Sequence, residues 1–115
     1  MSSPPTGTVT FLFTDIEGST KLAQAHPVAW EAARQRHHAI LREACETHQG
    51  YVFQVIGDAF CVAFPTADDG LQASLAAQRR LQSESWGELQ IRVRMGLHTG
   101  AAEAVGNDYR GYLTL

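Results

Sequence analysis

Thr8-Val9-Thr10-Phe11-Leu12-Phe13-Thr14-Asp15-Ile16-Glu17-Gly18-Ser19-Thr20 is the stretch whose reading decides the fold. Val9, Phe11 and Phe13 alternate with Thr8, Thr10, Leu12 and Thr14, a β-branched and aromatic run of period two that predicts a strand buried on at least one face. Asp15 stands where the apolar run stops. Gly18-Ser19-Thr20 then supplies turn and N-cap chemistry ahead of the helix-forming Lys21, Leu22, Ala23 and Gln24. A carboxylate at a strand end, beside a helix start whose free N–H groups face outward, can hold a divalent cation while those N–H groups take the phosphates the cation carries. The same stretch also fits a plainer role, in which Asp15 caps the helix and Gly18 turns the chain.

Further along, Tyr51-Val52-Phe53-Gln54-Val55-Ile56 and Ala59-Phe60-Cys61-Val62-Ala63-Phe64 flank Gly57-Asp58. Two apolar runs joined by a Gly-Asp pair predict a β-hairpin, with Gly57 taking the positive φ of a primed turn. The register sets Ile56 opposite Ala59 and Gln54 opposite Cys61, and it puts Asp58 at the hairpin tip. Gln54 is the one polar side chain of the first run. It needs hydrogen-bond partners or a place at an edge facing water.

Between these stretches, residues 19–48 read as helical with a break at His26-Pro27, because a proline disfavours helical geometry in the residue before it. Trp30, Ala33, His37, Leu41, Ala44 and Cys45 recur at three- and four-residue steps, a stripe for packing on a sheet. His37 lies on the stripe and His38 is expected to point away from it; neither has metal-spaced partners, so both read as packing or surface histidines. After Pro65, Thr66-Ala67-Asp68-Asp69 forms a capping box. It opens a helix to about Ser83 whose apolar face is expected to hold Leu71, Leu75 and Leu81 with Ala67, Ala73, Ala76 and Ala77. Residues 90–98 alternate polar and apolar and read as a strand with one wet face. Thr99-Gly100 is expected to turn into a short apolar stretch, residues 101–105; residues 106–111 read as a loop and 112–115 as a last short strand.

The totals bound the function. With 115 residues, 44% apolar and 18% charged, the chain makes one domain from residue 8 onward, behind a flexible lead-in of residues 1–7. A net charge of −3 supplies no basic field for nucleic acid or for an anionic membrane. Cys45 and Cys61 sit in apolar runs and read as free thiols of a reducing compartment. No run approaches membrane-spanning length and no signal-peptide pattern follows Met1, so the expectation is a soluble, cytoplasmic protein.

The predicted order of strand, helices, hairpin, helix, strand and short last strand suits an α+β sandwich, an antiparallel-rich sheet with helices on one face in a ferredoxin-like arrangement. In that topology the first strand and the hairpin are neighbours, which would bring Asp15 and Asp58 to one sheet edge. Two such carboxylates repel unless a cation sits between them, which points to Mg²⁺ or Mn²⁺. Two bridged metals are suited to in-line displacement at phosphorus, and no Ser-His-Asp or Cys-His set competes for the role.

Phe13-Thr14-Asp15-Ile16-Glu17-Gly18-Ser19-Thr20, then Ile56-Gly57-Asp58-Ala59-Phe60, then Arg94-Met95-Gly96-Leu97-His98-Thr99-Gly100 resemble, in order, the catalytic domain of class III adenylate and guanylate cyclases. The resemblance implies a nucleoside triphosphate cyclised by its own 3′ hydroxyl with release of pyrophosphate, as in signal transduction by cyclic nucleotides. It assigns two Mg²⁺ or Mn²⁺ ions per site to Asp15, Asp58 and the Ile16 carbonyl, and the triphosphate to Glu17, Gly18, Ser19 and Thr20. It places base recognition at Gln54 and at Asp108 or Asn107, and it implies a head-to-tail homodimer with shared sites. Gln54 stands where adenylate cyclases carry Lys and guanylate cyclases Glu, which keeps ATP as the default purine over GTP. The family's transition-state Asn and Arg, expected on a helix after the last strand, fall beyond Leu115. The expectation is therefore a domain of a longer chain, with the missing helix and further regulatory or ATPase modules downstream, and weak turnover by these 115 residues alone. Two other readings are a cyclase-like dimerisation or nucleotide-sensing module without catalysis, and a different metal-dependent phosphoryl enzyme such as a dinucleotide cyclase.

Overall fold

The computed structural model describes residues 3–110. Its sheet has the order β2-β3-β1-β4-β5, built from β1 (Gly7–Ile16), β2 (Tyr51–Ile56), β3 (Ala59–Phe64), β4 (Val93–Val105) and β5 (Asp108–Arg110). All neighbours pair antiparallel. The helices are α1 (Ser19–Ala25), α2 (Pro27–Thr47) and α3 (Ala67–Ser83). The first four strands, with α2 and α3 in the crossovers, have the ferredoxin-like order, and β5 extends the β4 edge.

The period-two pattern of β1 makes it the centre. Leu12 joins Ile40, Leu41, Phe60, Val62, Phe64, Ala73 and Ala77 in the core under α2 and α3. Val9 and Phe11 fill the opposite face with Ala63 and Tyr109. Aromatic edges close that second cluster: Tyr109 lies 5.2 Å from Phe11 and 4.9 Å from Phe53. At the far end of its ring, the Tyr109 hydroxyl donates to the Pro5 carbonyl at 2.7 Å. Burial pushes the phenol up to about 12, so it stays a donor.

The hairpin pairs as its two-residue turn dictates, Ile56 with Ala59 and Gln54 with Cys61, with a bulge at Phe53. Gly57 has φ +61, and Asp58 is outside the left-handed region, the sense of a type II′ turn. Thr66 caps α3 by accepting the Asp69 N–H at 3.0 Å. Cys45 and Cys61 are free thiols. Burial raises both, Cys45 to about 12. No helix among the described residues is long and apolar enough to cross a membrane.

Five sequence expectations are corrected. The buried face of α3 is Gly70, Ala73, Ala77 and Leu81, while Leu71 and Leu75 are exposed. The helix lies so close that a Cβ on Gly70 would stand 3.0 Å from Thr10 Cγ2 and 3.3 Å from Leu97 Cδ2; that approach selects small residues and leaves the leucines on the flank. β4 begins at Val93, later than residue 90. It also runs straight through Thr99-Gly100, because β1 starts early enough to pair Val9 with Gly100 and Gly7 with Ala102; the Thr10 and Thr99 hydroxyls share a 2.8 Å hydrogen bond there. The expected loop at 106–111 contains a turn at Gly106-Asn107 and the strand β5. The short strand expected at 112–115 lies outside the described residues. His38 is not turned away to the surface: it bonds to His37 and to the Gly57 carbonyl.

Candidate active site

The strand registers build the site. β1 and β3 pair through Thr14 with Phe60. Two residues on in each direction, Ile16 faces Asp58, where the ladder has given way to the hairpin turn. The Asp58 carboxylate takes over the missing partner and accepts the Ile16 N–H at 2.6 Å. On the other side of β1, Asp15 pairs directly with Arg94 of β4. The Arg94 guanidinium donates to both Asp15 oxygens, at 2.7 and 2.9 Å, the fork geometry that Arg supports.

Asp15 and Asp58 therefore share one end of the sheet. Both line a groove of about 560 Å³ with Ile16, Gly18, Ser19, Thr20 and Arg94. Gly18 is the N-cap of α1 in the left-handed region, φ +67, and no side chain caps the helix. The plainer role for Asp15 as a helix cap is thereby set aside, and the first N–H groups of α1 have no helical acceptor of their own. A hollow of about 300 Å³ adjoins the groove, shares Asp15 and Arg94, and runs past Phe13 to Cys61.

The candidate base-reading residues gather beyond Cys61. Gln54 is its partner across the hairpin, and the Asp108 charge helps to raise the Cys61 thiol, after burial. Asn107 Oδ1 accepts the Tyr51 hydroxyl at 3.2 Å. Glu17 lies past the end of β1 and is exposed, its N–H bonded to the Arg92 carbonyl at 2.8 Å.

The donor set suits a hard divalent cation. Asp15, Glu17 and Asp58 all act on Arg94, Asp15 most strongly, and hold its guanidinium above its usual range; the spot already gathers positive charge. Among the described residues no three His, Cys, Asp or Glu side chains cluster as a closed cage. Mg²⁺ typically binds through one or two carboxylates, with waters and substrate phosphates completing the shell. Two residues escaped the sequence reading. Arg94 was readable in principle, since the expected order puts β4 beside β1 and its wet face toward Asp15. His38 gave no signal beyond helical spacing.

Comparison with known proteins places these features. The family model described as adenylate and guanylate cyclase catalytic domain matches residues 1–113. An adenylate cyclase of Lachancea kluyveri is 36% identical over 118 residues, covering 85% of this chain and 6% of that protein. An uncharacterised protein of Mycobacterium bovis is 37% identical over 110 residues, covering 94% of this chain and 36% of that protein. A Trypanosoma brucei adenylate cyclase solved in its monomeric state superposes with a TM-score of 0.82 at 25% identity, covering 97% of this chain and 65% of that one. The chain thus spans a small part of the curated relatives it matches.

Proposed function

The chain belongs to the adenylate and guanylate cyclase catalytic domain family, and from that premise we propose that it cyclises a purine nucleoside triphosphate, ATP by default, to the 3′,5′-cyclic nucleotide and pyrophosphate. The observation that carries the reading is the 2.6 Å bond from the Ile16 N–H to Asp58, which seats a second carboxylate at the strand end where Asp15 already stands.

Asp15 and Asp58, with the Ile16 carbonyl, would hold the divalent ions. When bound, two Mg²⁺ or Mn²⁺ ions supply activation of the attacking 3′ oxygen and charge neutralisation at the departing pyrophosphate. The chain's own residues do the rest. The N–H groups of Ser19 and Thr20 at the start of α1 bind phosphate oxygens, and Gly18 lets the backbone approach them closely. Arg94 leaves Asp15 as the cation-bearing triphosphate enters and turns to its phosphates, exchanging one anion for another. Gln54 reads the purine edge together with Asp108 or Asn107; its amide can donate or accept. In a head-to-tail dimer these base-reading residues would serve the metal-binding end of the other subunit.

The test is formation of cyclic product from ATP and from GTP with Mn²⁺ or Mg²⁺ by the protein, its Asp15→Asn variant, and its Gln54→Lys and Gln54→Glu variants. Product formation that depends on Asp15, with Gln54→Lys favouring ATP and Gln54→Glu favouring GTP, supports the reading. Product formation indifferent to Asp15 overturns it.

A further inference from the structure

A second polar chain runs from the interior of α2 to the turn that carries Asp58. His38 Nε2 lies 3.0 Å from the Gly57 carbonyl oxygen, and His38 Nδ1 lies 3.1 Å from His37 Nδ1. A carbonyl can only accept, so His38 Nε2 carries the proton. In the neutral ring Nδ1 is then an acceptor, and His37 Nδ1 must donate to it. That assignment leaves His37 Nε2 as a bare lone pair, and it is buried without a partner among the described residues. Burial and the neighbouring His38 push the His37 imidazole down to about 4, so the ring is neutral near pH 7, as the chain of bonds requires.

Aromatic contacts fix both rings. His37 and His38 each meet Phe60 edge to face, at 5.9 and 5.1 Å between centroids. Phe60 is buried and pairs with Thr14 of β1. Packing alone accounts for those contacts. It does not account for a directed N–H bond onto the carbonyl of the residue before Asp58, in a two-residue turn whose groups lie outside the β2–β3 ladder.

We propose that His37 and His38 are positioning residues for Asp58: the pair ties the Gly57-Asp58 turn to α2 and so sets where the Asp58 carboxylate meets the Ile16 N–H and faces Asp15. His37 fixes the tautomer and ring plane of His38, and His38 holds the turn. The consequence for cation binding rests on the function proposed above, whereas the geometric part does not.

Three substitutions separate a positioning bond from packing. His38→Gln keeps an N–H donor where Nε2 stands; His38→Asn keeps one nearer Nδ1 and falls short of Gly57; His38→Leu keeps neither. Two readouts apply to the chain: hydrogen exchange of the Ile16 amide by nuclear magnetic resonance, referenced to Leu12 in mid-strand, and Mn²⁺ affinity from the paramagnetic signal of the free ion. We expect His38→Gln to stay within about twofold of the unsubstituted chain in both. His38→Asn and His38→Leu should speed Ile16 exchange without moving Leu12 and weaken Mn²⁺ binding about tenfold, a usual effect of removing an outer-shell partner. Ile16 exchange that is the same in the Gln and Asn variants overturns the proposal. If His38→Leu does not fold, the Gln and Asn pair decides alone. If the unsubstituted chain takes up no Mn²⁺, the proposed function fails separately, and Ile16 exchange still decides the positioning role.

Discussion

Asp58→Asn is the substitution that isolates charge from shape at the candidate site. The amide keeps an oxygen where the carboxylate accepts the Ile16 N–H at 2.6 Å, so the turn stays tethered. A hydrogen bond to a charged group contributes about 1.5 to 3 kcal/mol and a neutral one about 0.5 to 1.5, so the fold should lose about 1 kcal/mol. Part of that is returned as the repulsion from Asp15 falls. For a domain of this size the unfolding midpoint should then drop by no more than about 4 to 8 °C.

Cation binding should suffer far more. In water, one carboxylate charge acts on a divalent ion with about 2 kcal/mol at 4 Å and about 4 kcal/mol at a direct contact of ~2.1 Å. Losing it should weaken Mn²⁺ binding by roughly 30- to 700-fold. The assay is a Mn²⁺ titration in the presence of a non-cyclisable ATP analogue, beside thermal unfolding of the same samples. A folded Asp58→Asn protein that binds Mn²⁺ within about threefold of the unsubstituted chain would falsify the role given to Asp58, since even the weaker contact predicts a tenfold larger loss.

Other perturbations give outcomes as distinct. Arg94→Ala frees Asp15 from its bidentate partner, so Mn²⁺ alone should bind about two- to fivefold more tightly while nucleotide binding weakens; calorimetry with each ligand separately checks the opposed signs. The folded His37 is held at about 4, below its unfolded value near 6.5. Its contribution is therefore complete above about pH 6.5 and is lost as pH falls toward 4, by up to about 3 kcal/mol. Urea unfolding across that window should show a shallower pH slope for His37→Gln, and an unchanged slope would assign the loss to other groups. Gly50→Ala would put a Cβ 2.6 Å from the Cys45 carbonyl oxygen and 2.8 Å from Phe64 Cε1, and should cost about 1 to 3 kcal/mol; an unfolding midpoint that does not move would show that the α2–β2 junction is slack.

What could be read in advance followed the strength of local chemistry. The period-two run at residues 8–14 and the Gly57-Asp58 turn each admit few backbone solutions, and the hairpin register followed from the turn alone. Ferredoxin-like connectivity then placed Asp15 and Asp58 at the same end of the sheet. Errors arose where tertiary contact overrode local signal. Leu71 and Leu75 have the right spacing for a buried stripe, yet Gly70 allows an approach that only small residues survive. Thr99-Gly100 resembles a turn, but the first residues of β1 offer a partner strand and the ladder continues. The bond from His38 to Gly57 joins residues nineteen apart, and no spacing rule links a helix face to a hairpin tip.

The two acidic side chains are held by partners of different kinds, and this difference bears on how the site would fill. Asp58 accepts from a backbone N–H of β1, a donor that cannot leave without breaking the strand end. Asp15 is held by a side chain that is 64% exposed and whose long stem can swing, so its bond can be traded at little cost. On the proposed function, Arg94 would exchange Asp15 for the phosphate oxygens of a cation-bearing triphosphate, so that neither its guanidinium nor the Asp15 carboxylate would be left unpaired. A bare cation offers no such exchange and must compete with the guanidinium. The site would then favour metal and nucleotide together over metal alone, and Arg94→Ala should reduce that preference.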